Sequence, residues 1–227
     1  MEHCNICGRT TFGHGPGGRL SVTGRMPYCL TCGSLERHRA IRAVFLKVLD
    51  GTLNNLKAIQ FSNDPSVEPK WFRSLEISQY GGDNSLDLMR IDRDSAVYDV
   101  VICNHVLEHV RYDNAALTEL IRITAPLGFL FLSFPDPARR EETVEFEAPD
   151  PNHHDHWRVY GRDVVHRFRR YLPDVWVLAH ETADPVTGAD DMIYLLTRDA
   201  VTADRLRRQL RPVDLICSPL GRQVRVA

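Results

Sequence analysis

Lysine is nearly missing from this chain of 227 residues. Only Lys47, Lys57 and Lys70 occur, so arginine supplies most of the 28 basic side chains. Genomic base composition is the plain reading of that bias. The 30 acidic residues leave a formal net charge of −2, so no global basic field for nucleic acid exists. No apolar run reaches about 18 residues, and no membrane-spanning helix is expected. No basic stretch ahead of an apolar core follows Met1-Glu2-His3-Cys4, so a secretory signal is not expected and the location is read as cytoplasmic. Cysteine is sparse except in one place: Cys4, Cys7, Cys29 and Cys32 cluster, while Cys103 and Cys217 stand alone. Without a secretion signal, such a cluster points to metal rather than disulfides.

The cysteines form two Cys-x-x-Cys pairs, Cys4-Asn5-Ile6-Cys7 and Cys29-Leu30-Thr31-Cys32, followed by Gly8 and Gly33. Two thiolates three positions apart grip one ion when the backbone between them turns tightly, and glycine permits the positive φ such a turn needs. Two such knuckles make a closed four-thiolate zinc site with no open position for a catalytic water. The segment between them is rich in glycine and has no core of its own, so metal must supply its folding energy. Residues 1–33 are therefore read as a zinc ribbon. With Arg9, Arg19 and Arg25 as its cations and Phe12 and Tyr28 as its aromatics, it is thin as a nucleic-acid surface. A structural or substrate-covering role is favoured.

After the ribbon, Ser34 is expected to cap a helix carrying Ile41, Val44, Phe45 and Val48 on one face. Strands are expected at Lys57–Phe61, Leu75–Tyr80, Tyr98–Cys103, Phe129–Phe134, Val175–Ala179 and Met192–Thr197. Helices are expected at Pro69–Ser74 and Ala115–Thr124 and around Val164–Leu172. This alternation predicts a Rossmann-like α/β domain over residues 34–200: a mostly parallel sheet, its last strand antiparallel, with helices on both faces. Residues 201–227, with arginines from Arg205 to Arg225, are read as a tail, partly a solvated helix and partly a loose end.

The run Asp99-Val100-Val101-Ile102-Cys103-Asn104-His105-Val106-Leu107-Glu108-His109-Val110, then a helix, then Pro126-Leu127-Gly128-Phe129-Leu130-Phe131-Leu132, carries a family likeness. It resembles the central motif of class I S-adenosylmethionine-dependent methyltransferases of the type 11 group. Cys32-Gly33-Ser34-Leu35-Glu36-Arg37-His38-Arg39 and His154-Asp155-His156-Trp157-Arg158-Val159-Tyr160-Gly161 resemble a bacterial subgroup with an N-terminal four-cysteine ribbon. The resemblance implies S-adenosylmethionine as cofactor. It implies contacts from Ser62, Asn63, Asp64 and Ser66 after the first strand and from Gln79 and Asp83 after the second. Asp87 and Leu88 follow, then Asn104, His105 and Val106 at the central strand. Two departures stand out. The turn Phe61-Ser62-Asn63-Asp64-Pro65-Ser66 lacks the family's glycines, and the acid expected at the end of the second strand is displaced to Asp83.

Methyl transfer needs an in-line nucleophile and an exit for its proton. The catalytic candidates are His105, at the exit of the central strand, and His154 and His156 on the long connection from Pro135 to Tyr160. That connection exceeds what a plain loop requires and suggests a cover over the substrate. Alternation in an extended segment would put His154 and His156 on one face. Arg158 is read as an anion anchor or a partner of Asp155. Of Glu36, Arg37, His38 and Arg39, at most one or two can sit over the cofactor. The expected activity is methyl transfer to a small polar metabolite, a sugar or natural-product intermediate. The alternatives are methylation of RNA with the ribbon as docking module, a degenerate fold that binds without catalysis, and different chemistry on the same fold.

Overall fold

The computed structural model describes residues 2–48, 53–135, 139–210 and 214–219. Two very short strands open the chain, β1 (Phe12–Gly13) and β2 (Tyr28–Cys29), paired antiparallel. Helix α1 (Glu36–Val48) follows. Ser34 does not cap it as expected. Its hydroxyl lies 3.3 Å from Cys4 Sγ and 3.2 Å from Cys32 Sγ, while Leu35 N–H donates to His38 Nδ1 at 3.2 Å. The free amide at the helix start is satisfied by a histidine one turn on, which leaves the serine for the thiols.

Next come β3 (Lys57–Phe61), β4 (Ser74–Ser78) and β5 (Tyr98–Asn104), then α2 (Asp113–Ile123), which passes directly into β6 (Thr124–Ser133). The expected helix at Pro69–Ser74 is a single 3-10 turn, Pro69–Trp71. The chain continues through β7 (Val144–Asp150), β8 (His156–Val159), α3 (Val164–Tyr171), β9 (Trp176–Ala183) and β10 (Asp190–Thr197). Helix α4 (Ala200–Gln209) and strand β11 (Asp214–Cys217) complete the order. No helix among the described residues is long and apolar enough to cross a membrane.

Seven strands form one sheet in the order β11-β9-β10-β6-β5-β3-β4. Strands β4, β3, β5 and β6 are parallel; β10 runs antiparallel to β6 and β9, and β11 antiparallel to β9. This is the expected Rossmann-like, mostly parallel sheet. Strands β5 and β6 read as continuous apolar runs because both faces are covered. Leu117, Leu120 and Phe168 of α2 and α3 pack on one face. Ile41, Val44, Phe45 and Leu206 of α1 and α4 pack on the other, with Phe45 stacked on Phe131 at 4.1 Å between ring centroids. A Cβ on Gly128 would stand 2.5 Å from the Asp99 carbonyl oxygen, so the β5–β6 crossing admits no side chain there.

The helix expected beyond residue 200 is present, but it is docked on the sheet and not solvated. Asp199 accepts from Thr202 N–H at 2.7 Å and caps α4, which buries Thr202, Ala203 and Leu206, and β11 adds an edge strand. One apolar stripe among arginines is enough to dock a helix when a sheet face is open to it. Arg222 and Arg225 lie outside the described residues.

The ribbon sits on the turn between β9 and β10. Thr23 Oγ1 donates to the Thr187 carbonyl at 2.7 Å, and Arg25 to that of Val186 at 2.9 Å. Beside them Arg39 of α1 grips Asp184 through two 2.7 Å hydrogen bonds.

Candidate functional site

The chain leaves β3 for β4 on one side and returns to β5 on the other, so the switch point lies at the carboxyl ends of β3 and β5. Ligands bind at such points because the diverging loops leave a crevice. Two adjoining cavities open there, about 750 and 230 Å³, and Arg37 and His105 line both.

The smaller cavity is walled by the β3 exit loop, the β5 exit and α1. Ser62 holds φ at 79° and donates its N–H to the Ser78 carbonyl at 2.8 Å. The glycine expected at this turn is absent, yet serine takes up the left-handed conformation that glycine would supply. Asp64 accepts from Ser66 N–H at 2.8 Å and from the Ser66 hydroxyl. Burial raises its pKa, against those hydrogen bonds and the nearby Arg37 charge. Asn104 accepts from Ser133 Oγ at 3.1 Å, while its Nδ2 is buried without a partner. His105 has φ 52° and a buried, unpartnered Nε2. Burial, reinforced by the Arg37 charge, holds His105 well below the usual histidine range. His38 is lowered to about 3 by burial and stays neutral, as its acceptor role requires.

Ser62, Asn63, Asp64, Asn104 and His105 therefore meet as expected. The other expected contacts do not line this cavity. Ser66 is buried and only braces Asp64, and Val106 packs against the core. Gln79 bonds its own loop through Asn84, and Asp83 is exposed. Asp87 accepts from Met89 N–H, and Leu88 belongs to the core. The acid that the second strand does carry, Glu76, is occupied by Arg93, Asn84 and Tyr98. Burial works to raise the Glu76 pKa, and those hydrogen bonds outweigh it and leave it lowered. Of the four residues opening α1, Arg37 and His38 reach the smaller cavity and Glu36 the larger; Arg39 turns away to Asp184.

The larger cavity lies under the hairpin of β7 and β8, which accounts for the long connection. His154 and Asp155 both have positive φ, 57° and 60°, so the segment is a tight turn and not the extended strand expected. His154 is exposed on the cavity wall. His156 is buried at 6% exposure, edge-on to His109 at 4.5 Å between ring centroids. The two rings nevertheless stand 6.0 Å apart between centroids and both line this cavity, so the expected pair does meet, through a turn and not through an extended strand. Burial and the neighbouring His109 lower the His156 pKa to about 4. Arg158 is neither an anion anchor nor a partner of Asp155. It is buried and donates to the Arg111 carbonyl at 2.7 Å and to Glu145 at 3.0 Å. Sequence reasoning missed Glu108: it is 1% exposed, neither oxygen has a hydrogen-bond partner, and burial raises its pKa to about 8.

At the N-terminus, Cys4 and Cys32 sulfurs stand 3.7 Å apart and those of Cys7 and Cys29 3.6 Å, with all four within 4.8 Å of one another. A tetrahedral ion with metal–sulfur bonds of roughly 2.3 Å requires about 3.8 Å between sulfurs, so the donor set fits a closed metal site. Gly8 and Gly33 have φ 75° and 72° and close the two knuckles by donating to the Cys4 and Cys29 carbonyls.

A family described as a methyltransferase domain matches residues 13–171. No curated protein sequence matches the chain. Among solved structures, it is similar to an S-adenosylmethionine-dependent methyltransferase of Thermotoga maritima at 12% identity, over 71% of this chain and 91% of that one, with a TM-score of 0.43. It is also similar to the 1,6-didemethyltoxoflavin-N1-methyltransferase of Burkholderia thailandensis, which carries S-adenosylhomocysteine, at 13% identity over 70% and 78%, with a TM-score of 0.46. A third is a methyltransferase of Aquifex aeolicus, at 11% identity over 70% and 90%, with a TM-score of 0.44.

Proposed function

We propose, from the premise that the chain belongs to the methyltransferase domain family, that it transfers the methyl group of S-adenosylmethionine to a small polar acceptor. The observation that carries this reading is the set of unspent polar groups at the switch point. Asn104 Nδ2 and His105 Nε2 are buried without partners, and no hydrogen bond or ion pair among the described residues engages the Arg37 guanidinium above them. Buried polar atoms of this kind call for a ligand that supplies their hydrogen-bond partners.

The smaller cavity is the proposed seat of the cofactor, held by Ser62, Asn63, Asp64 and Asn104, with Arg37 on its carboxylate. When bound, S-adenosylmethionine supplies an electrophilic methyl group on a sulfonium. The larger cavity then takes the acceptor, with His154 and His156 on its wall. His105 lies between the two. Its imidazole, kept neutral by burial and the Arg37 charge, is placed to accept a hydrogen bond from the acceptor's O–H or N–H and relay the proton onward. Cys4, Cys7, Cys29 and Cys32 are proposed to hold one structural zinc. The ribbon's cations Arg19 and Arg25 pair with Glu36 and Glu2, which favours a bracing role over RNA docking.

The test is S-adenosylhomocysteine release from S-adenosylmethionine with either a low-molecular-weight metabolite extract or total RNA as acceptor. Release with the metabolites alone is expected. Release with RNA alone would move the assignment to RNA, and cofactor binding without release from either would favour a non-catalytic fold.

A further inference from the structure

Glu108, His109 and His156 bring one carboxylate and two imidazoles together at the rim of the larger cavity, with donor atoms within 4.8 Å of one another. They come from two separate elements. Glu108 and His109 lie on the single 3-10 turn after β5, and His156 opens β8. Three features set the cluster apart from ordinary packing. Both Glu108 oxygens are unpartnered in a side chain only 1% exposed, and His156 Nδ1 is unpartnered in a residue 6% exposed. Protonating Glu108 would not resolve this, since the new O–H would also lack an acceptor. His109 stands edge-on to His156 at 4.5 Å between ring centroids, so the two imidazoles already converge across the two elements. The turn at His154 and Asp155, both at positive φ, brings the chain back into β8 and so sets His156 beside His109.

We infer that Glu108, His109 and His156 form a second metal centre, which takes a divalent first-row transition cation at the acceptor end of the cleft. Two imidazoles and a carboxylate suit zinc and its neighbours, and three protein ligands leave a position open. Because all three residues line the proposed acceptor cavity, an acceptor oxygen bound there could take that position and be oriented and made more acidic near His105. This role rests on the reading of the larger cavity as the acceptor site; the metal centre itself does not.

The experiment uses the full chain, equilibrated with excess zinc and then passed into metal-free buffer, with zinc per chain measured alongside S-adenosylhomocysteine affinity. Two zinc ions per chain are expected in the unaltered protein. One is expected in Glu108→Gln, His156→Asn and His109→Asn, with cofactor affinity changed less than about twofold. His109 is exposed, so its variant keeps the test open if the buried ones misfold. In a second arm, cobalt(II) is added to protein whose cysteine site already holds zinc. A visible spectrum without thiolate charge-transfer bands, lost in His109→Asn, is expected. One zinc per chain with no cobalt spectrum would overturn the inference even if S-adenosylhomocysteine binds. Two zinc ions lost one at a time without cofactor binding would keep the metal centre and sink the methyl-transfer reading instead.

Discussion

Arg39 and Asp184 face each other with both side chains wholly shielded from solvent. The pair is stable because its hydrogen-bonding capacity is largely spent. Arg39 also donates to the Ser34 carbonyl at 3.1 Å, and Asp184 accepts from the Thr187 hydroxyl and amide. A buried pair of this kind adds little over an apolar replacement, but removing one partner strands the other charge. Arg39→Met is therefore expected to lower unfolding free energy by about 3–5 kcal/mol in urea titration, with part recovered when Asp184→Asn is added. An Arg39→Met protein as stable as the original would refute this account of the junction. Its partner could not be read from sequence, because Asp184 lies 145 positions away. The cysteine quartet could, because thiolate spacing encodes its own geometry. Glu108 escaped notice for the same reason as Arg39: nothing local tells a buried, unpartnered carboxylate from a solvated one.

At the scale of elements, the strands and helices of the sheet follow from apolar runs and one-sided stripes, which are local signals. Where local signals misled, tertiary packing decided. Helix α4 looked solvated because arginines surround its one apolar stripe, and β11 adds to an edge that no short-range pattern announces. His154 and Asp155 lie in left-handed backbone where alternation suggested a strand. The cap of α4 gives a test. Hydrogen bonds from Thr202 hold the Asp199 carboxyl below its usual range. Its stabilisation is thus present above the unfolded-state value and fades as pH falls through the lowered one. Asp199→Ala is expected to cost about 1 kcal/mol near neutrality. In urea titrations repeated between about pH 7 and pH 3, the difference from the parent should shrink. A difference that grows toward acid would contradict the cap assignment.

For the molecule as a whole, the ribbon, α1 and the β9–β10 turn form one junction, and α1 reaches from it across the cleft. The cysteine site should therefore matter beyond its own residues. Cys29→Ser is expected to lose one metal ion per chain. It should also lose hydrogen-exchange protection in the first third of the chain and at residues 184–189. Loss confined to the ribbon would mean that the junction is weaker than its hydrogen bonds imply, and a folded wild-type protein without metal there would exclude the zinc assignment. The cleft below was legible in outline, since the exits of β3 and β5 are where a doubly wound sheet places ligands. A cover and a contribution from the start of α1 were legible too, but not that the cover is a hairpin or that Arg37 reaches in while Arg39 turns away, since both depend on how distant segments pack.

The central claim is that the switch-point cleft binds S-adenosylmethionine, and calorimetric titration with S-adenosylhomocysteine tests it most directly. One site per chain is expected in the unaltered protein. Affinity should fall by about tenfold or more, roughly 1.4 kcal/mol, in Asn104→Leu, in Asp64→Ala and in Arg37→Gln, and stay unchanged in Arg207→Ala. No heat of binding at millimolar ligand, or equal affinity in all four variants, would contradict the account.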